Sequence, residues 1–295
     1  MKTGEKKLIT IFGLALIMVL AFSSDAYAIT GNYEPDADRH PYVGLLVFDV
    51  YDPVSESNVP AWRCTGSLIA PDVVLCAGHC CDGAVAARFW LLEDMTYDSV
   101  PFPLYPFGGP GSGAIEGTPY KNPDYRSIDA PGNGIPTFSY RDVGIVVLTE
   151  LVPESVVDTY AQLPTAGLVD TLAVMTDVDL VGYGVQYQAM IPGNELPTPP
   201  PYSRWTGPRQ RFYAPAQLLS GKFSWSDEFV RCTANPGRGK GGTAFGDSGG
   251  PVLLGGTDTV LAVNSYVPNV NCAGVTYHSR IDIQDVLDWI INSFL

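Results

Sequence analysis

Basic residues, lysine above all, are scarce in this chain. Of its 295 residues, 17 are Lys or Arg and 31 are Asp or Glu, a formal net charge of −14. Three of the six lysines fall within the first seven positions, and no basic cluster follows them. A nucleic-acid binder needs clustered Lys and Arg to displace counterions, so that class is excluded, as is a polybasic membrane-surface protein. Long hydrophobic runs are missing beyond the N-terminal segment, which leaves no spanning candidate there. Histidine is limited to His40, His79 and His278. Uninterrupted helix formers are scarce too: 31 Gly and 25 Pro make up roughly one residue in five, and both break helix interiors. What is present suffices for a core. Apolar residues make up 46%, with 5 Trp, 16 Tyr and 12 Phe. Such a chain is not disordered; it reads as acidic, turn-rich and β-rich, one large domain or two small ones.

The first 28 residues read as a secretory leader. Lys2, Lys6 and Lys7 precede an apolar stretch from Leu8 to Phe22, and Ala26-Tyr27-Ala28 follows. That is a basic head, an apolar centre and a small-residue cut. The apolar stretch is short for a membrane span, which takes about 20 residues. Cleavage after Ala28 would leave residues 29–295 with 14 basic and 29 acidic groups, a net charge of −15. The expected location is extracellular or periplasmic, with no membrane association after cleavage. All six cysteines lie in the exported part, and an even number there favours disulfides. Cys76, Cys80 and Cys81 flank His79 but lack the C-x-x-C spacing of a zinc site, so no metal is expected there.

Short apolar runs recur between Gly, Pro, Asn and Asp: Tyr42–Val50, Thr65–Ile69, Val73–Cys76, Val85–Leu92, Val143–Leu148, Leu180–Val185, Val252–Leu254 and Val260–Val263. Their length and spacing predict an all-β sandwich or barrel. Pro101–Pro136 and Met190–Pro208 are dense in turn formers and read as long surface loops. One helix is predicted, Ile283–Phe294, with Val286, Leu287, Ile290 and Ile291 on its packed face.

Three strings carry chemistry. Gly246-Asp247-Ser248-Gly249-Gly250-Pro251 sets a hydroxyl between glycines, which allow a sharp turn and leave backbone N–H groups free to face an oxyanion. Ala77-Gly78-His79-Cys80 follows the apolar run Val73–Leu75. Asp142 heads the buried run Val143–Leu148, where a carboxylate needs a partner that an imidazole N–H would supply. A hydroxyl, a histidine and an orienting carboxylate are the parts of a nucleophilic hydrolase.

These strings resemble the trypsin/chymotrypsin-like serine proteases. The resemblance runs through Ile29-Thr30-Gly31, His40-Pro41-Tyr42-Val43, Cys64–Ile69, Ala77–Cys80, Asp142–Leu148, Gly182-Tyr183-Gly184, Gly246–Pro251 and Asp288-Trp289-Ile290. Stretches around Leu163–Gly167 and Val181–Gln186 look similar to bacterial secreted members. The resemblance implies two perpendicular six-stranded β-barrels, roughly 29–150 and 151–282, and a C-terminal helix over 283–294. It also implies a monomeric endopeptidase acting on protein or peptide substrates. It makes Ser248 the nucleophile, His79 its base and Asp142 the group that orients the imidazole. The Gly246 and Ser248 N–H groups become the oxyanion hole, and a new N-terminus at Ile29 pairs with Asp247. His40 matches a non-catalytic His-Pro, and His278 has no assigned role.

The same resemblance puts Gly242 at the floor of the specificity pocket, beside Thr243. Ser265, Tyr266 and Val267 form one wall and Gly274 the opposite one. With no Asp at the floor and Val267 where Gly is usual, the expected preference is for small to medium apolar residues. Cys64 and Cys80 match a family disulfide. Ala244 stands where the family usually has a cysteine, so Cys232 is expected to bridge Cys272 instead. That leaves Cys76 and Cys81 as a third pair or as free thiols. No cofactor is implied. Glu93, Asp94 and the Asp98 region offer oxygens for calcium, although a solvated acidic surface is the simpler explanation for them.

Overall fold

The computed structural model describes residues 29–95, 113–128, 139–190, 203–207, 209–220, 226–269 and 271–295. The expected leader, 1–28, and Asp98 lie outside them. Seventeen strands are described. The first half holds β1 (Thr30–Gly31), β2 (Glu34–Pro35), β3 (Val43–Asp52), β4 (Ser57–Ala70), β5 (Val73–Cys76), β6 (Ala86–Trp90), β7 (Ile115–Lys121) and β8 (Gly144–Leu148). The second holds β9 (Asp177–Gly182), β10 (Tyr187–Met190), β11 (Ser203–Thr206), β12 (Phe212–Ser220), β13 (Phe229–Ala234), β14 (Gly241–Gly242), β15 (Pro251–Leu254), β16 (Val260–Tyr266) and β17 (Gly274–Arg280). Helices α1 (Gly78–Cys81) and α2 (Leu168–Thr171) are single turns, and α3 (Gln284–Phe294) is the C-terminal helix.

The strands close into two six-stranded antiparallel barrels. The first runs β3-β4-β5-β8-β7-β6. The second runs β12-β9-β15-β16-β17-β13 and closes through a β13–β12 pairing, with β2 added beside β12. Closure leaves few free edges, which suits strands this rich in Val, Ile and Leu. Leu45, Phe48, Leu68, Leu75, Phe89 and Ile145 lie in the first core, and Leu180, Ala214, Leu218, Val230, Val252 and Leu261 in the second. Each large apolar side chain so buried contributes about 1.5–3 kcal/mol.

Two predicted loops contain strands. β7 lies inside the Pro/Gly-dense region 101–136, where Gly117 is needed because a Cβ there would stand 2.6 Å from Val146. β10 and β11 form a hairpin around the second predicted loop. α3 starts one residue later than predicted. It buries Val286, Leu287 and Ile290, but Ile291 is 48% exposed, because the apolar stripe ends one position short of it.

The barrels are tied together by charge as well as by packing. The buried Arg211 guanidinium, next to β12, donates to Asp36 at 2.8 Å and to the Val43 carbonyl at 3.0 Å. Asp36 also accepts from His40 Nδ1 at 2.5 Å, which accounts for His40 as a structural residue. No described helix is long and apolar enough to cross a membrane.

Candidate active site

Register brings the histidine and the aspartate together. β5 and β8 pair antiparallel with Cys76 opposite Gly144. His79 lies three residues past Cys76 and Asp142 two before Gly144, so both project from the same end of the first barrel. Asp142 Oδ2 accepts from His79 Nδ1 at 2.8 Å, and Oδ1 accepts from the His79 backbone N–H at 2.7 Å. Ser265 Oγ, from β16 of the other barrel, donates to the same Oδ2 at 2.5 Å. The carboxylate is 1% exposed and the imidazole 32%.

Burial alone would depress the imidazole pKa, but the charge of Asp142 and its hydrogen bond outweigh this and raise it. Burial pushes the other way on Asp142, and there His79 and Ser265 outweigh it and hold the carboxyl below its ordinary range. The pair therefore favours a histidine that takes up a proton readily while Asp142 stays ionised.

Ser248 sits in the loop between β14 and β15. Gly246 (φ +98°) and Gly249 (φ +81°) take left-handed backbone that a side chain would oppose. At Gly249 a Cβ would also stand 2.5 Å from the Thr65 carbonyl and 2.7 Å from the Ala77 nitrogen. The loop thus presses directly on the first barrel. Thr65 holds it twice, N–H to the Ser248 carbonyl at 2.8 Å and Oγ1 to the Gly246 carbonyl at 3.0 Å. Among the described residues the Gly246 and Ser248 N–H groups donate to no protein acceptor. Arg63 flanks this loop, its Nε 3.3 Å from where a Gly246 Cβ would be. Ser248 Oγ and His79 line one pocket but make no hydrogen bond to each other. Such contacts often tighten only when substrate binds.

Asp247 is fully buried under the loop. It accepts from the Gly184 N–H at 2.7 Å and the Ala244 N–H at 2.8 Å. No cation pairs with it among the described residues, and burial pushes its carboxyl up to about 7 against these donors and the more distant Arg63 charge. Ile29 is buried in the second core, and β1 pairs Thr30 with Gly242, a few residues before Asp247. Ile29 has φ +42°, which a β-branched residue rarely adopts.

The pocket holds about 240 Å³ and is lined by His79, Ser248 and residues 243–245 and 264–267. Thr243, Ser265, Tyr266 and Val267 thus face it. Gly242 does not. It pairs with Thr30, and a Cβ there would stand 2.2 Å from that of Ala234. Gly274 is exposed at the start of β17, opposite Ala234, and is likewise absent from the lining. Phe245 and Asn264 also line it, as does Ala244, which the sequence marked only as the place of a missing cysteine. Their adjacency to Thr243 and Ser265 was the available signal.

Only the first expected disulfide is present. Cys64 and Cys80 are bonded, while Cys76, Cys81, Cys232 and Cys272 are buried thiols. Cys232 pairs with Thr276 across β13 and faces the barrel core, whereas Cys272 lies in the turn before β17. Burial pushes the Cys272 thiol up to about 12. Cys76 and Cys81 stand with their sulfurs 3.4 Å apart, in contact but unbonded. The one cluster of metal-ligating types among the described residues, Cys64, His79 and Cys80, contains that disulfide, whose sulfurs are not thiolate ligands. Glu93 spends both carboxylate oxygens on the Ala37 and Asp38 N–H groups, each at 3.1 Å. His278 is buried in the second barrel, where burial pushes it down to about 3 and Thr276 Oγ1 lies 2.9 Å from Nε2.

The family model described as Trypsin matches residues 126–290, a span that contains Asp142 and Ser248. Sequence comparison with curated proteins returned no match. A collagenase structure titled HL collagenase is 17% identical, with 90% of this chain and 97% of that chain aligned at a TM-score of 0.60. Human heparin binding protein is 15% identical, with 89% and 95% aligned and a TM-score of 0.55. A double mutant of that human protein is 14% identical, with 90% and 96% aligned at 0.56. At these identities the likeness concerns the fold.

Proposed function

The chain belongs to the trypsin family, and from that premise we propose that it is a secreted serine endopeptidase. Ser248 attacks the peptide carbonyl, and His79 takes its proton and returns it to the leaving amine. Asp142 keeps the imidazole in the tautomer that accepts at Nε2. The Gly246 and Ser248 N–H groups receive the oxyanion, each such donor contributing about 100- to 1,000-fold in rate. The single observation that carries this reading is the buried Asp142 carboxylate bound to both His79 Nδ1 and Ser265, beside a pocket shared with Ser248.

Cleavage between Ala28 and Ile29 would create the active N-terminus. Two features support it. Asp247 lacks a counter-ion among the described residues, and the strained Ile29 φ torsion ceases to exist once the preceding peptide bond is cut, which removes about 1–3 kcal/mol of strain. The preferred residue before the scissile bond is small to medium and apolar, because Val267 and Ala244 narrow the pocket and no acidic side chain lines it among the described residues.

Labelling with a fluorophosphonate tests the activity. Wild type should label at Ser248 and Ser248→Ala should not. A chain beginning at Ile29 that stays unlabelled while folded is a binding protein on the same scaffold. A peptide-library profile dominated by Arg or Lys before the cut would refute the specificity.

A further inference from the structure

The sulfurs of Cys76 and Cys81 meet behind the candidate triad, where all three of its segments converge. Cys76 ends β5 and Cys81 ends α1, so the pair brackets the turn that carries His79. Cys81 Sγ occupies the space that a side chain at position 144 would take; a Cβ on Gly144 would stand 2.7 Å from it. Gly144 is two residues from Asp142. On the other side, a Cβ on Gly249 would stand 3.0 Å from the Cys76 Cβ, next to Ser248. The space is fitted to two sulfurs, and their 3.4 Å separation exceeds a disulfide bond of about 2.05 Å by little more than an ångström.

We propose that Cys76 and Cys81 are a redox modification site, closing to a second disulfide under a small-molecule disulfide oxidant and thereby resetting the position of His79. Cys81 is 5% exposed and Cys76 fully covered, so Cys81 reacts first. Its thiolate attacks one sulfur of oxidised glutathione, breaking that S–S bond and releasing one glutathione thiolate, which takes up a proton. Cys76 then gives up its proton and attacks Cys81 Sγ, forming the Cys76–Cys81 bond and releasing the second glutathione. Two cysteine thiols are oxidised, and one disulfide is reduced to two thiols. Burial, contact with Cys81 and the charge of Asp142 hold the Cys76 thiol well up, so the second step is the slow one.

Closure draws on the Cys81 end of α1 rather than on β5. Cys76 is fixed by strand pairing with Gly144, whereas α1 is one turn with no side-chain cap. His79 rides on that turn, and the neighbouring Cys80 is held to Cys64. The coupling to activity rests on the protease reading; the site itself does not.

The test uses the purified chain beginning at Ile29, incubated with oxidised or with reduced glutathione, then denatured, alkylated and mapped by mass spectrometry. Four alkylated cysteines, Cys76, Cys81, Cys232 and Cys272, are expected under reducing conditions. Two are expected after oxidation, with a linked Cys76–Cys81 peptide. The double variant Cys76→Ala/Cys81→Ala should show two in both. A count that stays at four, a persistent glutathione adduct, or linkage to any other cysteine would overturn the site. Fluorophosphonate labelling of Ser248 should differ at least about threefold between the two wild-type forms and not at all in the double variant. Equal wild-type rates would overturn the coupling to His79. If neither form labels, the protease reading fails while the thiol count still decides the site. If the double variant does not fold, the two wild-type forms decide alone.

Discussion

Each barrel contributes one buried aspartate to the site, and the two are held in opposite ways. Asp142, at the edge of the first barrel, accepts from a histidine ring, a backbone N–H and a serine hydroxyl, and its carboxyl lies below the ordinary range. Asp247, in the second, accepts from two backbone N–H groups and lies near 7. Burial raises both. The difference is the partner: an imidazole that can become a cation, against amides that cannot. Depth alone does not decide the charge of a carboxylate.

The largest break in that comparison should come from Asp142→Asn. It keeps the shape but lets the imidazole take the wrong tautomer, and kcat should fall by about 10⁴-fold. Steady-state turnover of a cleaved peptide measures it. Asp247→Asn should cost about 100- to 1,000-fold, through disorder of the loop that offers the oxyanion donors. Ionised Asp247 also costs the uncut chain stability, through the penalty of a buried charge.

That penalty has a definite sign. With a folded pKa near 7 and an unfolded value near 4, the folded chain binds more protons between them. The uncut chain therefore loses stability as pH rises from about 4 through 7, by about 4 kcal/mol in all. A chain beginning at Ile29 supplies an ammonium and should escape most of the loss. At pH 8 its Tm should exceed that of the uncut chain by roughly 5–10 °C, and at pH 4 only the smaller, pH-independent offset from relief of the Ile29 strain should remain. Calorimetry at both pH values decides this. Asp142 behaves oppositely: its stabilisation is present above the ordinary carboxyl range and disappears as pH falls through its depressed folded value.

The pH–rate profile is a finer test. His79 must be neutral to act as base, and its pKa is raised, so the acid limb of kcat/KM should fall at a pH above the imidazole's usual 6.5. The smallest effect should come from Ser265→Ala, which removes one of three hydrogen bonds to Asp142. A loss of about tenfold in kcat is expected, consistent with one hydrogen bond to a charged group.

Much of this was legible in the residues. Gly246–Pro251, Ala77–Cys80 and Asp142 are local strings whose chemistry demands those residue types, and long apolar runs such as those in β3 and β8 declared themselves as strands. What escaped was set by pairing across distance. β7 holds Gly117 and Pro119, so it reads as loop until its neighbour Val146 is known. β12, β13 and β17 mix polar and apolar residues, because their outer faces meet solvent or other loops. Ser265 reads as a pocket wall, and only its approach across the barrel boundary makes it a donor to Asp142. The Cys232–Cys272 expectation failed for the same reason: connectivity follows register, which composition does not encode.

The anchoring of Ser248 by Thr65 also says something about time. Thr65 Oγ1 and the Gly246 carbonyl are 181 residues apart in sequence, and the His79–Asp142 contact spans 63. Contacts so distant form late, because the chain between them must be ordered before they reward the loss of freedom. The first barrel must close before His79 meets Asp142, and the second must dock before the nucleophile loop finds Thr65. A chain still folding carries the three residues but no assembled site.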